Sequence, residues 1–515
     1  MMIKTPFFIL FFVINFQCFY AQIDNEANFY TSVANANFNK NLVSDYNVDN
    51  DFTTDDSSKL EDAINDISSN GGGILTIPAG DYSFGDINLK SNVHIEVHPN
   101  VVIRPFYEIP SNGKLKNSAI FNLGDNTSPI KNVSIKSSTG NRFTVDLTHN
   151  NNPNIAVVSC GKVSNFVVAN FNVLDSFTKF SAVTFGGDFY NEEYTFPENG
   201  IVKDIDIQNA HYGYGVVQTQ SAENILFKDL SGTGGATLRL ETGFTGLNDL
   251  QGTNLPSGVK RVGGIDKIVA RNISCTNGNS ALMISPHALH NGTVDAEGIH
   301  SISAGFAVRV EGGFISNKYD QTIGLTKGTF EFVRVKNVTA TYGENAEIKA
   351  KHFHLYPQEI TPPTTLASYI SEDETEVYVG AAIAPVLADT NYTCTNGVKT
   401  VVVEEPVVGT GFEYQEDIIP AEYLTINCAA LSVDDNKTGE NAVKIVPNPS
   451  TGFINLKNIN NFKKATIYNI SGQWVKTING NDSSRNVDVR ILKPGVYFVK
   501  INADIASFTR KLIIQ

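Results

Sequence analysis

The feature that most constrains this chain is a pair of short strands that recurs seven times, in the same order, along its middle. Aligned on small or apolar i, i+2 positions, the first strands carry Phe121/Leu123, Val158/Cys160, Val183/Phe185, Val217/Thr219, Leu238/Leu240, Leu282/Ile284 and Val308/Val310. Each is followed by a second strand: NVSIKS, NFVVANFNV, DIDIQN, NILFKDL, KIVARNI, GIHSIS and FVRVKNV. Successive units lie 21 to 44 residues apart. Stacked parallel coils tolerate such irregularity, because only the strands must keep register while the turns can grow. A sandwich or propeller needs antiparallel hairpins, and the tight Asn-Gly turns that signal them are sparse. The expectation is all-β: a right-handed parallel β-helix from about residue 50 to about residue 430. Upstream, Leu60, Ala63, Ile64 and Ile67 form a helical stripe after an acidic, Ser-rich start, and a Gly run then leads into the strand ILTI. A helix there would cap the open edge of the first coil.

The two ends have different textures. Residues 1–22, with Lys4 and the apolar run from Pro6 to Phe16, read as a secretory signal peptide cleaved near Ala21 or Gln22. No later stretch approaches the roughly 18 consecutive apolar residues of a membrane span. Four cysteines then remain, Cys160, Cys275, Cys394 and Cys428. They are too few to staple a chain of this length; secretion permits one bond, for which Cys394 with Cys428 is the expected pair, and two unrelated buried thiols are an equal alternative. From about Ala442 the strands VKIVPNPSTGFINL, KATIYNISGQWVKTI, LKPGVYFVKI and TRKLIIQ alternate with Asn, Pro, Ser and Gly turns, the pattern of a small β-sandwich. The expected division is signal peptide 1–22, β-helix domain 23–430, polar linker 431–441 and C-terminal sandwich 442–515. A net charge of −14 argues against nucleic acid as a partner.

Because side chains alternate along a strand, the alignment also names the outward rows. Between the inward pairs sit Asn122, Ser159, Thr184, Gln218, Arg239, Met283 and Arg309; the next row carries Gln220, Glu241, Ser285 and Glu311, with His287 just beyond. The central coils therefore gather amide, guanidinium, carboxylate and imidazole groups on one surface, while the earlier coils are small and weakly polar there. By pattern alone, the two Arg-x-Glu pairs suit a surface ion-pair ladder equally well. His287 and His290, in SPHALH, also suit turn positions. In a secreted β-helix, the combination is the inventory for binding an anionic sugar and moving protons at a glycosidic oxygen.

The segments HYGYGVVQTQSAENILF (211–227), GGATLRLETG (234–243), ALMISPHALHNG (281–292) and FAVRVEGG (306–313) resemble the iota-carrageenase family of glycoside hydrolases, and the resemblance covers most of residues 45–430. It implies a β-helix groove that cleaves β-1,4 linkages of sulfated iota-carrageenan with inversion. Carried over by motif, Glu241 in LRLET is the general acid, Gln218 in VVQTQ binds an ion or positions water, and His287 orients substrate or water. Arg239 and Arg309 contact sulfate, and Gln220 joins them in substrate binding. The family pattern places the basic aspartate two residues after the glutamate, where this chain has Gly243. Glu311, two coils from Glu241, and Asp249, in the loop GFTGLNDLQG, are the alternative bases. The motifs from Pro447 to Gly452, Ile470 to Gln473 and Pro494 to Tyr497 resemble the C-terminal sorting domain of type IX secretion cargo, which implies passage through the outer membrane and then release or surface attachment.

The acidic net charge does not exclude a sulfated substrate, since the local field around Arg239, Arg309, Lys260, Arg261, Arg271 and Lys318 governs binding. No obligatory cofactor is expected; a structural calcium or sodium ion and a bound chloride stay open, and neither an EF-hand loop nor a zinc spacing is present. A monomer is expected. Two other functions stay open: a pectin-type lyase or hydrolase, although the Asn-Thr-Asp, Gly-His-Gly and Arg-Ile-Lys motifs of polygalacturonases do not occur, and a non-catalytic glycan-binding paralogue.

Overall fold

The computed structural model describes residues 25–32, 38–125, 128–191, 193–242, 263–315, 327–371, 373–388, 401–404, 406–420, 444–457, 462–469, 474–479, 486–503 and 507–515. The chain forms two compact units, whose described residues run from 25 to 420 and from 444 to 515. The signal peptide, the linker 431–441, Cys394, Cys428, Gly243, Asp249, Lys260, Arg261 and Lys318 lie outside the described residues. Cys160 and Cys275 are buried free thiols.

The first unit is a parallel β-helix. Its short first strands stack into one sheet in the order 87–88, 118–123, 155–160, 183–185, 217–219, 236–241, 280–285, 306–310, 386–388 and 418–420. The register is the one the apolar pairs predict: Val158 lies opposite Phe121 and Val183, Val217 opposite Leu238, and Leu282 opposite Leu238 and Val308. The second strands stack into the other large sheet, with 163–174, 198–210, 221–234, 264–276, 290–302 and 329–341 as its central members. Inside the coils Phe185 packs between Phe166 and Phe227, with ring centroids 5.9 and 5.5 Å away, so aromatic burial continues from coil to coil. The helix Ser57–Ser69 is the expected cap, with Leu60, Ala63, Ile64 and Ile67 fully buried. Each large aliphatic side chain there contributes about 1.5–3 kcal/mol by leaving water.

One corner of successive coils turns through an asparagine in the left-handed region, with φ of 65° at Asn92, 60° at Asn132, 55° at Asn165 and Asn199 and 56° at Asn224. Their amides stack: Asn132 donates to Asn92 at 2.9 Å, Asn165 to Asn132 at 2.8 Å and Asn224 to Asn199 at 2.8 Å. Asparagine tolerates this backbone, and its amide supplies both donor and acceptor. The segment 25–32 lies on this corner. Thr31 N–H donates to Asn165 Oδ1 at 2.8 Å, Asn224 donates to the Asn28 carbonyl at 3.0 Å, and Phe29 packs against Val167, Ala169, Ile201 and Leu226.

Two departures from the sequence reading matter. The first coil begins before the cap helix, because Asn39–Asn41 pairs with Gly73–Ile77. The coil stack is also interrupted by an antiparallel three-stranded sheet of Ala346–Ile348, Glu376–Gly380 and Thr365–Ile370, and it resumes at Val386–Ala388. An insertion at a turn leaves strand register intact, so the repeat survives it. The second unit pairs a three-stranded antiparallel sheet (444–446, 453–457, 486–488) with a four-stranded one (462–469, 474–479, 495–503, 507–514) around Ile454, Leu456, Ile467, Val499 and Leu512.

Candidate active site

The strand Ala236–Glu241 starts from a Gly234-Gly235 turn that only glycine fits. Gly235 has φ 60°, and a Cβ there would collide with the carbonyl oxygens of Tyr214 and His211. From this turn the strand keeps the predicted rows. Gln218 lies opposite Arg239, Arg239 opposite Met283, Met283 opposite Arg309, and Glu241 opposite Ser285. Glu311 follows in Glu241's row, its N–H bonded to the Ile284 carbonyl at 2.8 Å. Gln218 and Gln220 are half-buried on the same surface.

Glu241 is held from both sides. Its Oε1 meets His287 Nε2, and its Oε2 meets the Arg239 guanidinium. His287 adopts a left-handed backbone, φ 46°, fixed by Phe314 and Gly328, whose N–H groups both donate to its carbonyl at 2.8 Å. Its ring packs on Phe314 with centroids 4.3 Å apart. A strained backbone held this firmly is a mark of functional sites. Burial, reinforced by Arg239 and opposed by Glu311, lowers the imidazole pKa to about 4, so the ring is neutral at neutral pH. Arg239 also donates to the Gly213 carbonyl at 2.8 Å and lies 5.0 Å from the centre of the Tyr214 ring.

Arg309 is placed differently. It is 3% exposed, and its guanidinium donates to Glu311 Oε2 at 2.7 Å, to Tyr212 Oη at 3.3 Å and to Asn279 Oδ1. A sulfate contact for Arg309 has no support in this burial. Lys351 donates to Glu311 Oε1 at 3.1 Å. Burial alone would raise the Glu311 pKa, but Arg309 and Lys351 hold the carboxyl well below the ordinary range. His352, 4.0 Å from Glu311, is pushed down to about 2 by burial, Arg309 and Lys351. Arg271 belongs to the other sheet, where it pairs with Asp295 at 2.7 Å beside Arg334. The two Arg-x-Glu pairs that the sequence allowed as a surface ladder are ion pairs, but they are largely buried; a more exposed ladder of other residues runs along the other sheet through Asp295.

Sequence reasoning missed the groups that arrive from the insertion. Glu347 is 6% exposed; its Oε2 accepts from Gly235 N–H at 2.7 Å and its Oε1 from Tyr369 Oη at 2.5 Å. Burial pushes its pKa up to about 7. Tyr369 Oη also accepts from Tyr212 N–H at 2.9 Å, and Lys349 lies 4.9 Å from the centre of the Tyr212 ring. No periodic signal marks these residues, because the insertion follows its own antiparallel pairing. Among the described residues no group of three or more His, Cys, Asp or Glu side chains is placed to hold a metal ion.

Known proteins place this geometry. Over 420 residues the chain is 31% identical to the iota-carrageenase of Alteromonas macleodii, a match spanning 71% of this chain and 82% of that protein. The chain belongs to the iota-carrageenase family. It is 42% identical over 279 residues to the iota-carrageenase of Zobellia galactanivorans, covering 54% of this chain and about half, 53%, of that relative. A solved iota-carrageenase of family GH82 from A. fortis superposes with TM-score 0.68 at 30% identity, over 77% of this chain and 92% of the other. An iota-carrageenase complexed to iota-carrageenan fragments gives 0.67 at 29%, over 77% and 94%. Residues 444–515 match the secretion system C-terminal sorting domain, so this member of the iota-carrageenase family is a secreted or surface-held protein.

Proposed function

We propose that the chain is an endo-acting, inverting hydrolase of β-1,4 linkages in a sulfated galactan, iota-carrageenan, acting as a monomer. The observation that carries this reading is Glu241, a carboxyl in the outward row of the groove with Arg239 on one oxygen and neutral His287 on the other. Glu241 gives its proton to the glycosidic oxygen as the bond to the anomeric carbon breaks. A water attacks that carbon from the opposite face, and a base takes its proton. Gln218, in register beside Arg239, positions that water, and Gln220 and Arg239 bind substrate.

The base is Asp249 or Glu311. Inversion needs two carboxyls about 6.5–9.5 Å apart, and two ladder steps set Glu311 about 9.5 Å from Glu241. Glu311, however, is bound to Arg309 and Lys351, which weakens it as a proton acceptor. We therefore assign the base to Asp249 and a supporting role to Glu311. A structural calcium or sodium ion, or a bound chloride, would tune the site rather than perform this chemistry.

The test is incubation of the purified protein with iota-carrageenan, kappa-carrageenan and polygalacturonate. New reducing ends on iota-carrageenan, without the ultraviolet absorbance of an unsaturated product and with inverted anomeric signals by NMR, are expected. An unsaturated product would mean a lyase. Binding without any product would leave a glycan-binding protein.

A further inference from the structure

Arg239 and Glu241 form an ion pair that is only partly satisfied. Among the described residues Arg239 Nε is buried without a hydrogen-bond partner, and Glu241 Oε2 has the Arg239 guanidinium alone as its partner. Apart from Glu241, the guanidinium donates to the Gly213 carbonyl. His287, on the other carboxyl oxygen, is neutral, and the next charged group in the row, Glu311, is an anion bound by its own cations. Among the described residues Arg239 is therefore the cation that balances Glu241. A guanidinium this close favours the charged carboxylate, which has no proton to give, yet the reading of Glu241 as general acid requires one.

We propose that a substrate sulfate displaces Glu241 from Arg239, and that this exchange loads the acid with its proton. The inference rests on the assignment of Glu241 as the general acid. A guanidinium binds sulfate through two parallel hydrogen bonds, so Arg239 can trade a carboxylate for an oxyanion without losing its charge partner. The carboxylate left behind is 11% exposed and now faces an anion, which disfavours its charged form. One proton enters from solvent onto Glu241. It then passes to the glycosidic oxygen as the C–O bond breaks, Glu241 returns to the carboxylate, and water supplies hydroxyl to the anomeric carbon and its other proton to the base. A galactan without sulfate beside the scissile bond meets an acid that carries no proton. Arg239 therefore acts in selection at the chemical step as well as in binding.

The pH dependence of kcat/KM reports the free enzyme, and that of kcat the bound complex. With iota-carrageenan, the alkaline limb of kcat/KM is expected at lower pH than that of kcat, by about 1–3 pH units. In Arg239→Gln the two limbs are expected to coincide, and Arg239→Lys, which keeps the charge, should separate them again. Coincident limbs in the natural protein, or a gap that persists in Arg239→Gln, would overturn the inference. The assignment of Glu241 fails separately, if Glu241→Gln keeps its activity. Should circular dichroism show Arg239→Gln unfolded, difference infrared spectra with inorganic sulfate decide. A protonated-carboxyl band that appears in the natural protein and is missing in Glu241→Gln supports the exchange, and no band overturns it.

Discussion

Two arginine-x-glutamate pairs stand two coils apart on one sheet of this β-helix, identical in spacing and opposite in character. Arg309 and Glu311 are locked: Tyr212 and Asn279 accept from the guanidinium and Lys351 donates to the carboxylate, although Arg309 Nε, like Arg239 Nε, has no hydrogen-bond partner among the described residues. Arg239 and Glu241 have fewer helpers: the guanidinium donates to the Gly213 carbonyl and the carboxylate meets neutral His287, and among the described residues no second cation joins them. The difference teaches that an ion pair becomes reactive through what is withheld from it. A carboxylate held by two cations gives one up to a ligand only at high cost, whereas one held by a single guanidinium and a neutral imidazole trades partners more readily.

The largest effect that would break this comparison is on turnover. Glu241→Gln should lower kcat on iota-carrageenan by about 10²–10⁴-fold, with an unchanged melting temperature. Glu311→Gln should act chiefly on stability: it leaves Arg309 buried and unpaired, at a cost of about 3–5 kcal/mol, read as a lower urea midpoint. If the two variants gave the same pattern, the distinction between the pairs would be lost.

The next two predictions concern pH. His287 is held near pKa 4 in the fold against an ordinary 6.5, so its contribution is fully present above pH 6.5 and is lost as pH falls through 4. The loss amounts to about 3 kcal/mol, and stability curves of His287→Asn should lack that acid limb. Glu347 works in the opposite direction. Its pKa is raised to about 7 from 4.5, so stability is fully present below pH 4.5 and declines as pH rises through 7. Denaturation midpoints of Glu347→Gln should be flatter between those values, with a change similar in size to that for His287, since 4.5 to 7 spans as much as 6.5 to 4.

Much of the first sheet was legible because its constraint is local. Small and apolar residues at i, i+2 mark the inward face of each strand, and stacking carries the register from coil to coil, so Gln218, Arg239, Met283 and Arg309 could be put in one row from the sequence. The state of each side chain in that row was not legible. Whether Arg309 is exposed depends on Tyr212 and Asn279, 97 and 30 residues away, and on Lys351 holding the far side of Glu311. Alternation can place an arginine on the outer face but says nothing about what later covers it. The inserted sheet escaped for a related reason: Thr365–Ile370 and Glu376–Gly380 answer to each other and not to the coil repeat. The asparagine corner was written in the sequence as Asn132, Asn165, Asn199 and Asn224 near the starts of four second strands, but a repeat sought in apolar positions passes over it.

That corner bears on how the molecule comes into being. The segment 25–32 holds the first of the described residues to be made, yet Thr31 is bonded to a residue 134 positions later and Asn28 to one 196 positions later. Its binding surface exists only once the coils carrying Asn165 and Asn224 have stacked. Contacts so distant in sequence carry a large closure cost and form slowly. Segment 25–32 is thus expected to settle after the coils it rests on, out of the order of synthesis.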